Sequence, residues 1–255
     1  MLALDLIGGI VKVSWKYKDE WKPFLKLTNT NYKEVELVNG MHVEFEVIDK
    51  RVCTGYYNSK RKMTPCPEHR EISKGSQCYE CRERDIYSGY IEGRTPAKID
   101  AEFTVYLAQA GNQVKVGVTR SRKLTRRWVE QGVDYAVKIK DGLSSKQALD
   151  IEKNLSIKHR DLSQTIRKEE KLVKKPCKLN HYLKLIGMEG EVVDLQNVVS
   201  YPDKIGRKLV RKGRFSGEIN TVKGQIVSDG DLCMALTSGK KITKPSQTAL
   251  DTFKK

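Results

Sequence analysis

Between Phe103 and Leu155 the spacing of apolar residues changes from every second residue to one helical face, and this change dictates the local fold. Phe103, Val105 and Leu107 alternate with Thr104 and Tyr106; Val114, Val116 and Val118 alternate with Lys115 and Gly117. Such alternation marks strands with one buried face. An antiparallel pairing across Gly111-Asn112 puts Tyr106 and Lys115 together on the face opposite the valines. Arg120, Arg122, Lys123, Arg126 and Arg127 follow, then Trp128 and Val129, which reads as a helix with a basic flank. Ser144 and Gln147 have capping-box spacing ahead of a second helix, where Ala148, Ile151 and Leu155 form the buried stripe and Glu152 lies at its edge. A tyrosine, a lysine, an arginine and a carboxylate are thereby directed to one surface. Those charges suit a phosphodiester and a metal ion.

The bulk charge points the same way. The 255 residues hold 48 Lys plus Arg against 32 Asp plus Glu, a net charge of +16. A surplus of this size favours a polyanionic partner, because each neutralised phosphate releases condensed counterions. No apolar run approaches the roughly 20 residues needed to cross a bilayer, so no membrane role is expected. The first residues, with Asp5 and no basic leader, read as the start of a strand and not as a signal peptide, which makes the cytoplasm the default location. Aromatics are only 7% of the residues, too few for an extended platform that stacks single strands. Structured RNA (tRNA, rRNA or the ribosome) or duplex DNA is the expected partner.

Along the chain, residues 1–50 are expected to be β-rich, with Val35–Val38 and Val43–Val47 flanking the turn Asn39-Gly40 as a hairpin. Residues 51–98 are polar, glycine-dotted and hold four of the six cysteines. Residues 99–175 alternate strand and helix, closing with a charged helix through Arg167–Lys171 that ends before Pro176. Residues 176–204 read as a mixed linker and 205–243 as a second β-rich segment. Residues 244–255, rich in Lys, Thr and Ser, read as a mobile tail. The expected fold class is α+β: a small mixed sheet with flanking helices, a zinc-ribbon-like insert, and β-rich chain ends that either form one domain, in which 205–243 shares a barrel or sheet with 1–50, or stand as two independent β-modules.

Six cysteines are too few for a disulfide scaffold in a chain this long, so their spacing is read for metal. Cys78 and Cys81 form a knuckle that holds one ion between two thiolates, and Cys66 with Cys53 completes a tetrahedron; His69 is the alternative fourth ligand. Zinc is the first choice because it needs no redox partner and accepts four thiolates. A fully ligated ion of this kind is structural. It would fold a segment that carries Lys62 and other basic residues, as a nucleic-acid contact.

Val105-Tyr106-Leu107, Lys115-Val116-Gly117, the Arg127-Trp128 pair and Ala148-Leu149-Asp150-Ile151-Glu152 resemble, in that order, the core of the GIY-YIG nucleases. With Gln77-Cys78…Cys81, Glu130-Gln131-Gly132 and Val222-Lys223-Gly224-Gln225, the chain more closely resembles an uncharacterised prokaryotic family that joins a four-cysteine zinc segment to a GIY-YIG-like core. That resemblance implies Tyr106 as a participant in activating water, Arg127 (or Arg126) on the transition-state phosphate, and Glu152 as the carboxylate for a divalent metal, Mg²⁺ by its oxygen donor. The second motif's tyrosine is replaced here by Lys115, a phosphate contact or a base. Arg120, Arg122, Lys123, Arg126 and Lys62 are the expected nucleic-acid contacts. Two functions are implied: a phosphate-gripping nucleic-acid-binding zinc protein, or a Mg²⁺-dependent endonuclease using Tyr106, Lys115, Arg127 and Glu152.

Overall fold

The apolar alternation that opens the chain yields two long strands around a tight turn, β1 (Gly8–Lys18) and β2 (Glu20–Thr28). In this computed structural model the described residues are 6–91 and 101–245, without the side chains of 90 and 91. Residues 1–5, the border between the cysteine segment and the strand–helix segment, and the expected tail from 246 onward lie outside them. β3 (Tyr32–Glu36) pairs with β2, and β4 (His42–Val52) follows.

The expected hairpin across Asn39-Gly40 does not form. Gly40 N–H donates to Ile219 O (2.8 Å) and Ile219 N–H to Met41 O (2.9 Å), so the chain leaving the turn is captured by a segment far away in sequence. Val35 and Leu37 share one apolar core with Val43, Phe45 and Val47. That core is served as well by distant pairing as by a local turn, and the local turn chemistry therefore does not decide the register.

After β4 the chain forms only short elements: β5 (Tyr56–Tyr57), β6 (Met63–Thr64), β7 (Glu71–Ile72), α1 (Tyr79–Arg84) and α2 (Ser88–Ile91). The next segment is built from β8 (Phe103–Ala110), β9 (Gln113–Arg120), α3 (Leu124–Gln131), β10 (Tyr135–Leu143), α4 (Ser145–Lys158) and β11 (Leu162–Ser163). The capping box opens α4, with Ser144 accepting from Gln147 N–H and the Gln147 side chain reaching back. Residues 168–171 make a single 3₁₀ turn and not the expected charged helix. That run has no apolar stripe to bury, and its acids are engaged elsewhere, Glu169 by Arg211 and Glu170 by Arg167.

Residues 176–204 are not a linker. They supply α5 (Leu179–Ile186) and β12 (Val192–Asp194), and β12 pairs with β10. Apolar Leu179 and Leu183 on one face of α5 explain why this stretch docks. The rest is strand: β13 (Lys208–Val210), β14 (Gly213–Glu218), β15 (Thr221–Lys223), β16 (Ile226–Ser228), β17 (Leu232–Ala235) and β18 (Lys240–Thr243).

Three larger sheets result. One has the order β14-β4-β18-β1-β2-β3, with β7 also on β4, and β18 lies between β4 and β1. The second, β11-β9-β8-β10-β12, is antiparallel except for the β11–β9 pair. The third is β13-β17-β16-β15. Phe103, Val105 and Leu107 meet α4 and α5 on one face of the middle sheet. On the other face Tyr106 and Ala108 join Trp128 and Val129 of α3 in the core shared with β1, β4 and the C-terminal strands.

Two contacts weld the C-terminal strands to α3. Gly132 ends α3 with φ 61°, and its Cα faces Gly224 so closely that a side chain on either would stand about 2.8 Å from the other's backbone nitrogen. Beside them Lys223 Nζ and Asp134 Oδ1 form a 2.5 Å ion pair with side chains 1% and 2% exposed.

Candidate functional site

Pairing Tyr106 with Gly117 and Ala108 with Lys115 brings Tyr106 and Lys115 onto the same face. Gly117 is required there: a Cβ would lie 2.6 Å from Tyr106 Cζ and its hydroxyl. Tyr106 is 1% exposed, and its hydroxyl donates to Gln131 Oε1 at 3.2 Å and also interacts with the Arg127 guanidinium. Burial raises its pKa above the ordinary tyrosine value. Arg127 itself is exposed on α3.

Lys115 is 9% exposed. Burial, and next the charge of Arg127, push it down to about 8, while Glu152 acts in the opposite sense. Glu152, part-buried on α4, is raised by burial and lowered by the fields of Lys115 and Arg127. Arg127 and Glu152 thus each act on both Tyr106 and Lys115.

Sequence reasoning missed Lys171. It sits in the 3₁₀ turn, where burial and then the charges of Lys168, Lys223, Lys115 and Arg127 push it down to about 7. A charged run ordinarily reads as a solvated face, and no sequence signal shows that this lysine is part-buried among other cations.

Arg127 also lines a groove of about 540 Å³. The remaining wall of core residues includes Arg120, Arg122, Lys123 and Arg126; Lys12 comes from β1, and Arg61 with Tyr57 and Tyr87 from the cysteine segment. Glu130 is the one carboxylate among the lining residues, and it is engaged by Arg126 at 2.9 Å. Lys12 and Lys123 are both lowered, in each case first by burial and then by neighbouring cations, with Glu130 countering this at Lys12. Four of the five nucleic-acid contacts expected from sequence therefore share one groove. Lys62 does not line it; its neighbour Arg61 does, because the turn from Asn58 to Lys62 holds Arg61 in the left-handed region at φ 57°.

Cys53, Cys66, Cys78 and Cys81 are buried, and their sulfurs all lie within 4.8 Å of one another. A tetrahedral zinc–thiolate centre places sulfurs about 3.8 Å apart, from a Zn–S bond of about 2.3 Å, so the four can hold a metal such as zinc. Cys53 Sγ accepts the N–H groups of Cys78 (3.2 Å) and Gly55 (3.5 Å), contacts that suit a thiolate ligand. Burial pushes the Cys53 thiol up to about 11, against the pull of those two N–H groups. A bound dication is what would let this thiol ionise in place. His69 is exposed and is not one of the four.

These features define a strand-rich α+β protein with a four-cysteine cluster of metal-binding type beside a basic groove. The chain belongs to the family described as "Protein of unknown function (DUF2797)", which it matches over residues 97–229, just over half its length. The match takes in the middle sheet, α5 and β13 to β16, and begins after the four cysteines. No curated protein and no solved structure matches the chain. Among the described residues no helix is long and apolar enough to cross a membrane.

Proposed function

We propose that this chain is a nucleic-acid-binding zinc protein whose core grips phosphates on structured RNA (tRNA, rRNA or the ribosome) or duplex DNA. One observation carries the reading: seven cations face a single, already paired carboxylate around the groove that contains Arg127. Cations desolvated against one another are stabilised by an incoming polyanion, and phosphates are the anions whose counterion release rewards such a cluster. Zinc suits the four thiolates and serves as a structural ion.

Arg127 and Lys115 are the phosphate-binding pair in this reading. Tyr106 is a positioning residue: its hydroxyl is committed to Gln131 and Arg127 and sets the direction of the guanidinium. Lys171 supplies a further cation once an anion raises its pKa.

A second reading, a Mg²⁺-dependent endonuclease with a GIY-YIG-like core, is favoured by Glu152 alone. Its carboxylate would hold the ion, and Mg²⁺ commonly uses one or two carboxylates plus waters and substrate phosphates. The ion would supply Lewis acidity and a bound hydroxide. Lys115 and Arg127 beside Glu152 disfavour a dication until phosphates arrive, so the residues fit metal only together with nucleic acid.

The test is to mix the protein with tRNA, ribosomal RNA fragments and plasmid DNA, in Mg²⁺ or EDTA, beside Arg127→Ala and Glu152→Ala. Binding in EDTA that weakens steeply with salt and with Arg127→Ala is the expected result. Cleavage that needs both Mg²⁺ and Glu152 would select the second reading. An affinity indifferent to salt would overturn both.

A further inference from the structure

The groove has two unlike walls. The core wall is cationic; the wall from the cysteine segment presents an aromatic pair, Tyr57 and Tyr87, with ring centroids 5.3 Å apart at 76°. This pair is mounted with care. The buried carboxylate of Asp85 accepts the Tyr57 N–H at 3.1 Å and the Tyr87 N–H at 2.8 Å. Gln77 fixes Asp85 from behind, donating to it at 2.7 Å and to Gly55 O at 2.9 Å. Gln77 precedes Cys78, so the metal-type cluster and the mount are one construction. From the opposite wall the Arg120 guanidinium lies over Tyr87, 6.0 Å from its ring centre.

We infer that the cysteine segment is the second jaw of the groove, and that its Tyr57–Tyr87 pair receives the base of an unpaired nucleotide whose phosphates lie on the cations opposite. The inference rests on the proposed nucleic-acid function and narrows it to structured nucleic acid with a single-stranded end or loop at this place. Two part-buried tyrosines fixed through their backbones offer a π-surface with little entropy left to lose. A planar base is the ligand group that uses such a surface next to phosphate contacts. An acidic peptide would answer the cations and leave the rings unused. About 540 Å³ falls in the range of pockets for small ligands, about 300–1,000 Å³, and takes in part of one strand, whereas a duplex can only lie across the mouth. The low aromatic content excludes a long stacking platform, not a seat for one base.

The experiment uses the full chain with its metal and three RNA hairpins: one blunt, one with a single-stranded tail carrying 2-aminopurine, and one with an abasic tail. The 2-aminopurine tail is expected to bind about tenfold tighter than the blunt or abasic probe, with its fluorescence quenched by stacking. Tyr87→Ala should cost that tailed probe about tenfold and abolish the quenching, while Tyr87→Phe keeps both. The abasic comparison needs no variant, so a misfolded Tyr87→Ala does not blunt the test. Equal, salt-sensitive affinity for all three hairpins without quenching leaves the phosphate-gripping function standing and overturns the base seat. Failure of every probe to bind overturns both. Competition by polyglutamate as strong as that by the tailed RNA would replace the nucleic acid with an acidic protein.

Discussion

Replacing Lys223 by methionine tests the architecture at its tightest joint. The substitution keeps most of the side-chain volume and removes the charge that faces Asp134, whose Oδ1 lies 2.5 Å from Nζ with both side chains sealed from solvent. The other oxygen, Oδ2, accepts the Gly111 N–H at 2.8 Å, so the carboxylate is left with one hydrogen bond and no counter-charge. Breaking a buried pair by removing one partner costs about 3–5 kcal/mol, a large part of a typical total of about 5–15 kcal/mol. At about 2–4 °C per kcal/mol for a chain of this size, Tm should fall by about 6–20 °C, with a parallel drop in the urea midpoint at constant slope. Asp134→Asn in the same chain keeps an oxygen for Gly111 and removes the stranded charge, so the double variant should recover part of the loss. A single-variant loss under about 1 kcal/mol would refute the reasoning. It would mean that water reaches the pair and that β15 and β16 are not sealed onto α3.

Three further outcomes are expected. The purified protein should carry one zinc per chain, and chelation or Cys78→Ser should unfold residues 51–91 while His69→Ala keeps the metal; elemental analysis and hydrogen exchange read both results, and protein free of metal yet protected in this segment would contradict them. Phosphate binding should weaken as pH rises from about 7 to about 9, because Lys115 (about 8) and Lys171 (about 7) lose their protons there while a bound anion requires them charged. The penalty is about tenfold per lysine at one unit above its pKa, and a flat affinity profile would rule it out. Gly117→Ala should cost about 1–3 kcal/mol through overpacking, since its methyl would meet the Tyr106 ring and hydroxyl at 2.6 Å; it should also weaken RNA binding through Arg127, and Tyr106→Leu in the same chain should restore stability without restoring affinity.

What was legible in the sequence was what local rules control. The β8–β9 pairing and the start of α4 follow from alternation, one turn and one capping box, all within a few residues. The four cysteines were legible because few other residues in their segment could fold it. The Asn39-Gly40 hairpin was misread because two strands that share a core need not share an edge, and Ile219 offered the better partner. Residues 176–204 were misread because α5 announces itself weakly until the apolar face of the middle sheet is there to receive Leu179 and Leu183. The aromatic wall was invisible because its organiser, Asp85, is a single carboxylate whose burial depends on Gln77 and on the fold of the cysteine segment.

Three of the residues that break local rules stand in relation to Arg127. Lys115 is a strand lysine buried beside an arginine, Lys171 is a part-buried lysine among other cations, and Arg61 holds a conformation that non-glycine residues seldom adopt. Each costs free energy that ordinary surface alternatives would avoid. Arg61 and Arg127 line the same groove, while Lys115 and Lys171 both feel Arg127. Desolvated cations gathered around one guanidinium lie where an anionic ligand would relieve them. An anion beside Arg127 would add to the counter-charge that Lys115 has in Glu152 and would offset the cations around Lys171. Stability and binding are therefore coupled at this site: polyphosphate or RNA should raise Tm more in the parent chain than in Lys171→Met, which no longer holds the unbalanced charge.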